Sequence, residues 1–83
     1  MICYLNKSDF DFLKLKSPES IEMISSIKEE TDEKVTFEVL DDDYSEFELR
    51  INDSILDVGM DDEDTVNEIG KRLYNIYDEL LYQ

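Results

Sequence analysis

The stretch that decides the fold is VTFEVLDDDYSEFELRINDSILDV, residues 35–58, in which apolar and polar side chains alternate. Alternation is typical of strands, because successive side chains of a strand point to opposite faces of the sheet. The stretch therefore predicts a three-stranded antiparallel meander over residues 35–60, with one apolar and one acidic face. The apolar positions of its first two strands are Val35, Phe37, Val39, Phe47, Leu49 and Ile51.

The last two of these strands also indicate their own register. If residues 53–54 form a two-residue loop, Leu49 pairs with Val58, and Arg50 lies opposite Asp57. A slip of one residue would turn the apolar side chains to solvent, so this register is well specified. It also predicts that Leu49 lies in the core.

The segments before residue 35 predict two strands and a helix. Residues 2–5, an apolar run, predict the first strand. The run FDFLKLK at residues 10–16 predicts a second strand with a bulge or, alternatively, a short helix. Ser17 is a good N-cap and Pro18 suits the first helical position, so a helix is expected from there to about Glu30.

The last helix is marked by carboxylates at residues 61–64, where the free N–H groups of a helix N-terminus favour anions. An apolar stripe that faces the sheet follows it. Its members are Val66, Ile69, Leu73, Ile76 and Leu80. Tyr74, Tyr77 and Leu81 form a second stripe beside the first, which predicts either a broad contact with the other helix or the contact of a homodimer.

Together these segments predict one α+β domain spanning residues 1–83. The expected element order is ββαβββα, with both helices packed on one face of an antiparallel sheet. The other face of the sheet is expected to be open and acidic.

Charge is unevenly distributed along the chain. It carries 23 aspartates and glutamates against 8 lysines and arginines, and residues 29–68 hold 17 of these acids against only Lys34 and Arg50. Such a field repels nucleic acid and anionic membranes and attracts basic surfaces. The simpler alternative is a surface that only keeps the protein in solution.

The sequence lacks the residues and motifs typical of catalysis, metal binding and membrane insertion. There is no histidine, Cys3 sits in an apolar run as a small core residue, and no glycine-rich phosphate loop exists, so we expect no catalytic residue and no cofactor. The acidic run at residues 41–46 lacks the glycine and the glutamate of a calcium-binding EF-hand loop, so no metal site is expected. Without a long apolar run or a signal peptide, the expected location is the cytoplasm.

The acidic surface remains as a binding face for a basic protein. Carboxylates two apart on a strand lie about 7 Å apart, comparable with the spacing of phosphates along nucleic acid, and could replace them in a groove lined by lysine and arginine. Tyr44 would anchor the contact or, alternatively, only cover the edge of the sheet. The predicted partner-binding residues are Asp41, Asp42, Asp43, Tyr44, Glu46, Glu48, Asp61, Asp62, Glu63 and Asp64.

The chain resembles a known kind of protein in its acidic stretches DDDYSE and DDED, its small size and the helix–three-strand–helix layout expected for residues 17–83. Small acidic inhibitors of phages and mobile elements, including DNA mimics and anti-CRISPR proteins, share these features. The resemblance implies a non-enzymatic inhibitor, acting in the cytoplasm of a bacterial host cell, that occupies the phosphate-binding surface of a nucleic-acid-binding protein.

Two alternatives to this inhibitor stay open. An immunity protein or antitoxin would use the same acidic face against a cationic nuclease toxin. A small oligomeric adaptor would instead use Tyr74, Tyr77 and Leu81, so the chain is expected to be a monomer or a homodimer. None of these three hypotheses involves direct binding to nucleic acid or to a membrane.

Overall fold

The computed structural model describes residues 1–61 and 66–83 and confirms the α+β class. Its elements follow the order βααββαα and are β1 (Ile2–Asn6), α1 (Lys7–Lys16), α2 (Pro18–Ile21), β2 (Ile24–Glu30), β3 (Lys34–Val39), α3 (Asp41–Val58) and α4 (Glu68–Leu81). The three strands form one antiparallel sheet in the order β1-β3-β2. No helix in the described part of the chain is both long enough and apolar enough to cross a bilayer.

β3 is the central strand, and the helices cover one of its faces. Cys3 and Leu5 of β1 pair with Phe37 and Val35 of β3, and all four side chains are buried. Burial raises the pKa of the Cys3 thiol, as expected for a core cysteine rather than a nucleophile. The strands predicted at residues 2–5 and 35–39 are therefore confirmed.

The prediction of a helix from Ser17 to about Glu30 is wrong beyond the first turn of that helix. α2 ends at Ile21, and residues 24–30 form an edge strand, β2, with two register shifts against β3. β-Branched isoleucines separated by two serines are weak helix formers and fit a pleated surface better. Thr31 closes the hairpin, because its hydroxyl accepts hydrogen bonds from the backbone N–H groups of Glu33 and Lys34.

The two strands predicted over residues 47–58 are also wrong, since α3 is one helix of 18 residues. Its buried face repeats every four residues through Phe47, Ile51 and Ile55, close to the helical period. The loop at residues 53–54 and the pairing of Arg50 with Asp57 do not exist. Leu49, expected in the core, is 51% exposed.

Residues 7–16 form a helix, the alternative to the bulged strand. The Asn6 side chain caps α1 by accepting a hydrogen bond from the backbone N–H of Asp9. Phe10 and Leu13 are the buried residues of α1. The described chain thus has four helices rather than two, of which α1, α3 and α4 contact the sheet and α2 packs against α1 and α3.

The core is one cluster between the sheet and the helices. The Phe37 ring lies at its centre, with its centroid 5.6 Å from that of Phe10 and 6.0 Å from that of Phe47. The apolar stripe predicted for the last helix is confirmed at Leu73, Ile76 and Leu80, which are buried. The last helix begins at Glu68 with Asn67 as its N-cap, and most of the carboxylates predicted to mark its start, residues 62–64, lie outside the described residues.

The open face of the sheet is not the acidic surface that the sequence predicted. Ile2 and Tyr4 are about half-exposed there, the Lys34 ammonium lies 5.5 Å from the centre of the Tyr4 ring, and Lys28 pairs with Glu38 at 3.5 Å. Because residues 41–58 are helical, their acids lie on α3, on the opposite side of the sheet.

Candidate partner-binding surface

α3 is the acidic element of the structure. It carries seven aspartates and glutamates, and Arg50 is its single base. At a rise of about 1.5 Å per residue, α3 is about 27 Å long, which gives about one carboxylate every 4 Å. One strand of duplex DNA carries a phosphate about every 3.4 Å along the helix axis. The charge density of α3 is therefore close to that of one DNA strand.

Most of these acids share one flank of the helix. We call this the α3 acidic flank, and it consists of Asp42, Asp43, Glu46, Asp53 and Asp57. Helical spacing places the five along one side of α3, and three of them, Glu46, Asp53 and Asp57, line a groove beside α2. Their row is interrupted once, by Arg50.

A groove of about 450 Å³ lies between this flank and α2. It is lined by Glu19, Glu46, Arg50, Asp53, Ser54 and Asp57. Four carboxylates against one guanidinium leave this groove with a net negative charge, although it is open to solvent. Such a groove favours a lysine or arginine side chain of a partner.

Arg50 is held in a fixed place in this groove. Its Nε donates to Glu46 Oε1 at 3.2 Å, and its Nη1 donates to Glu22 Oε2 at 3.2 Å and to the Glu19 carbonyl at 2.9 Å. The hydrogen bond with Glu46 raises the pKa of the guanidinium. Arg50 thus ties α3 to α2 and compensates Glu46 and Glu22, but not the rest of the flank.

The other acids of α3 are free to meet a partner, except Asp41, which is 3.2 Å from the amino group of Met1. Within the described ranges 1–61 and 66–83, no lysine or arginine lies within 4.0 Å of the remaining carboxylates. These are Asp42, Asp43, Glu48, Asp53 and Asp57. An incoming cation would therefore not have to displace an existing ion pair.

Tyr44, predicted as the anchor of the contact, makes contacts within the protein. Its hydroxyl donates to the carbonyl of Leu80 at 3.2 Å, and its ring centroid lies 6.1 Å from that of Phe47. Partial burial raises the pKa of Tyr44 to about 12. Ring and hydroxyl are thus engaged between α3 and α4, and a contact of Tyr44 with a partner stays a prediction.

Two leucines lie on the outward side of α3, and the strand register had placed one of them, Leu49, in the core. Leu49 is 51% exposed and Leu56 is 65% exposed, and they are separated by seven residues. The signal that would have identified them is the helical period of residues 41–58. On that period, Phe47, Ile51 and Ile55 share one side, and both leucines fall opposite.

The remaining predicted site residues are Glu48, the carboxylates at residues 61–64 and the second stripe of the last helix. Glu48 is half-buried on the other flank of α3, and Asp61 is exposed, while Asp62, Glu63 and Asp64 lie outside the described residues. Tyr77 packs against the core, whereas Tyr74 and Leu81 are each nearly half-exposed. Tyr77 thus has a structural contact, and an oligomer contact through Tyr74, Tyr77 and Leu81 stays a prediction.

The described residues contain no group of three or more acidic, cysteine or histidine side chains placed to hold a metal ion. No family model, curated protein or solved structure matches this chain. Function is therefore inferred from the surface of the molecule itself.

Proposed function

We propose that this protein is a non-enzymatic inhibitor that occupies the phosphate-binding surface of a basic, nucleic-acid-binding protein. The observation that carries the proposal is the α3 acidic flank, where five carboxylates follow one side of a single rigid helix. From Asp42 to Asp57 the row spans about 22 Å, a length over which one DNA strand presents about six phosphates.

A helix presents these charges in a better-defined arrangement than a loop would. Carboxylates three or four residues apart on a helix have Cβ atoms about 5–6 Å apart. Such a row can pair with lysines and arginines that otherwise hold successive phosphates. The inhibitor and the nucleic acid would then compete for the same cations.

Electrostatics should act mainly on the rate of encounter. A strongly acidic protein approaching a basic groove is steered toward it, and the effect weakens as salt screens the charges. An acidic surface that only served solubility would attract any cation weakly and would show no preference for the α3 flank.

The test compares two double charge reversals. Asp53→Lys/Asp57→Lys alters the α3 flank, and Glu29→Lys/Asp32→Lys alters exposed acids of the β2–β3 hairpin. Both variants change the net charge of −15 by the same amount, so their general attraction to a basic protein changes equally. A partner captured from a bacterial lysate is then measured against both by surface plasmon resonance, at low and high salt, with duplex DNA and RNA as competitors.

We expect the flank variant to lose association rate by on the order of tenfold at low salt, and the hairpin variant to lose much less. Nucleic acid should displace the wild-type protein from its partner. Equal loss in both variants, or failure of both DNA and RNA to compete, would overturn the proposal.

A further inference from the structure

The outward side of α3 combines apolar and acidic positions in a regular pattern. Ser45, Leu49, Asn52 and Leu56 follow one another at spacings of four, three and four residues, and we call them the α3 ridge. Both leucines expose more than half of their surface. This spacing is that of the seam along which two helices pair in a coiled coil.

The residues that border the ridge are acidic on both sides. Glu46 and Asp53 follow the ridge on the side of α2, and Asp41 and Glu48 follow it on the other side. With the leucines placed at the a positions of a heptad, these four occupy the e and g positions, which set the choice of partner in paired helices. Glu48 and Asp53 have no base within 4.0 Å in the described part of the chain.

We propose that the α3 ridge binds an α-helix of the partner protein whose apolar stripe is bordered by lysines or arginines. This inference rests on the proposed function and specifies the surface of the partner that the protein contacts. The leucines would supply the apolar centre of the contact, and the acids would pair with the basic residues at its rim. Helices rich in basic residues are a common means by which proteins enter the major groove of DNA.

A second copy of this chain fits the ridge poorly. Two α3 helices paired through their ridges would bring acidic e and g positions together in either orientation, and like charges across such a seam are repulsive. An anionic lipid surface is disfavoured for the same reason. A basic amphipathic helix satisfies both the leucines and the carboxylates.

The probe is a synthetic peptide of three heptads with leucine at positions a and d and lysine at e and g. Lysines at e and g keep the peptide from pairing with itself, since they repel one another. A second peptide of the same composition has its leucines and lysines shuffled, so that they form no stripe. Binding of both to the intact protein is measured by fluorescence anisotropy, and helix formation in the bound peptide is followed by circular dichroism.

Two variants locate the contact. Leu49→Ala/Leu56→Ala removes the apolar part of the ridge and keeps good helix formers in α3. Leu15→Ala removes a leucine of α1 that is 72% exposed and lies outside the ridge. We expect the ridge variant to bind the heptad peptide at least about tenfold more weakly than wild type, and the Leu15 variant to bind it unchanged.

Three results would overturn the inference. The ridge variant could bind the peptide as well as wild type, or the shuffled peptide could bind equally well, and either result would reduce the contact to charge alone. Sedimentation could instead show a homodimer that the ridge variant abolishes. Failure of the proposed function would give a different result. Nucleic acid would then not displace the protein from its captured partner, whether or not the peptide binds through the leucines.

Discussion

Gly59 and Gly70 face each other where the C-terminus of α3 meets the N-terminal turn of α4. A Cβ atom on Gly59 would lie 2.6 Å from the Gly70 Cα, and one on Gly70 would lie even closer to the Gly59 carbonyl oxygen. Asn67 locks this crossing, since its backbone N–H donates to the Gly59 carbonyl at 2.8 Å and its side chain accepts from the Gly70 N–H at 2.9 Å. The two helices can approach this closely only because neither residue has a side chain.

Gly70→Ala should therefore destabilise the protein. In an exposed helix the change would stabilise by about 1 kcal/mol, but here the new methyl group meets backbone that cannot move aside. We expect a net loss of about 1–3 kcal/mol in the free energy of unfolding, measured by urea denaturation. Asn75→Ala, at an exposed position of the same helix, is the control and should change stability by less than about 0.5 kcal/mol. A Gly70 variant as stable as wild type would contradict the close approach.

Leu49 and Ile51 distinguish helix from strand over residues 41–58. In a strand both would face the core, whereas in α3 Ile51 is fully buried and Leu49 is 51% exposed. Ile51→Ala should cost about 2–5 kcal/mol and Leu49→Ala no more than about 0.5 kcal/mol in thermal or urea unfolding. Similar losses in both variants would favour the strand.

The sequence predicts the class of the fold better than the order of its elements. Residues 41–58 carry two periods at once, because Phe47-x-Leu49-x-Ile51 alternates as a strand while Phe47, Ile51 and Ile55 repeat as a helix. The three aspartates at residues 41–43 are a helix N-terminal signal and do lie in the first turn of α3. An uninterrupted run of 18 residues without glycine or proline also favours a helix over two short strands.

The same ambiguity decides how much of the site could be predicted. The acidic residues were identifiable because charge is read directly from the sequence, whereas their neighbours depend on the period. Tyr44 falls on the buried side only when residues 41–58 are helical, and Leu49 and Leu56 become surface residues for the same reason. The strand at residues 24–30 was hidden because its isoleucines recur at a helical spacing, and its pairing with β3 is a tertiary effect.

Ser17 and Ser54 form a buried hydroxyl pair that joins the start of α2 to α3. Ser54 donates to the Arg50 carbonyl at 3.0 Å, so Ser17 is the donor in the 2.7 Å bond between the two hydroxyls. Ser54→Ala removes the acceptor of a buried donor and should cost about 1–3 kcal/mol, and Ser17→Ala should cost about 1 kcal/mol. In a double-mutant cycle, the double alanine variant should lose less than the sum of the two single losses. Additive losses would mean that the hydroxyls do not interact.

Tyr44 should make the stability of the protein depend on pH in the alkaline range. Its folded pKa is raised to about 12, above the ordinary value of about 10 for an unfolded tyrosine. The folded state therefore keeps a proton that the unfolded chain releases, so the contribution of Tyr44 is present below pH 10 and lost between about pH 10 and 12.

The measurement is the difference in the free energy of unfolding between wild type and Tyr44→Phe. Below pH 10 the variant should be less stable by about 1 kcal/mol, because it lacks the hydrogen bond to the Leu80 carbonyl. The gap should close as the pH rises toward 12, since phenylalanine has no proton to lose. All other groups are common to the two proteins and cancel in the difference. A gap that stays constant across this range would contradict the raised pKa.

Asp57 is a carboxylate that the fold itself disfavours. It lies in the last turn of α3, where the helix dipole favours cations and no basic residue is present, and it is one helical turn from Asp53, a like charge. Asp57→Lys should therefore raise the free energy of unfolding by about 1 kcal/mol at low salt.

Asp42→Lys makes the same change of charge in the first turn of α3, where the dipole favours an acid, and should lower the free energy of unfolding. Since both variants alter the net charge equally, general self-repulsion cancels in the comparison, and shifts of the same sign would contradict the dipole argument. If the α3 acidic flank binds a basic partner, the more stable Asp57→Lys protein should nevertheless associate with that partner more slowly.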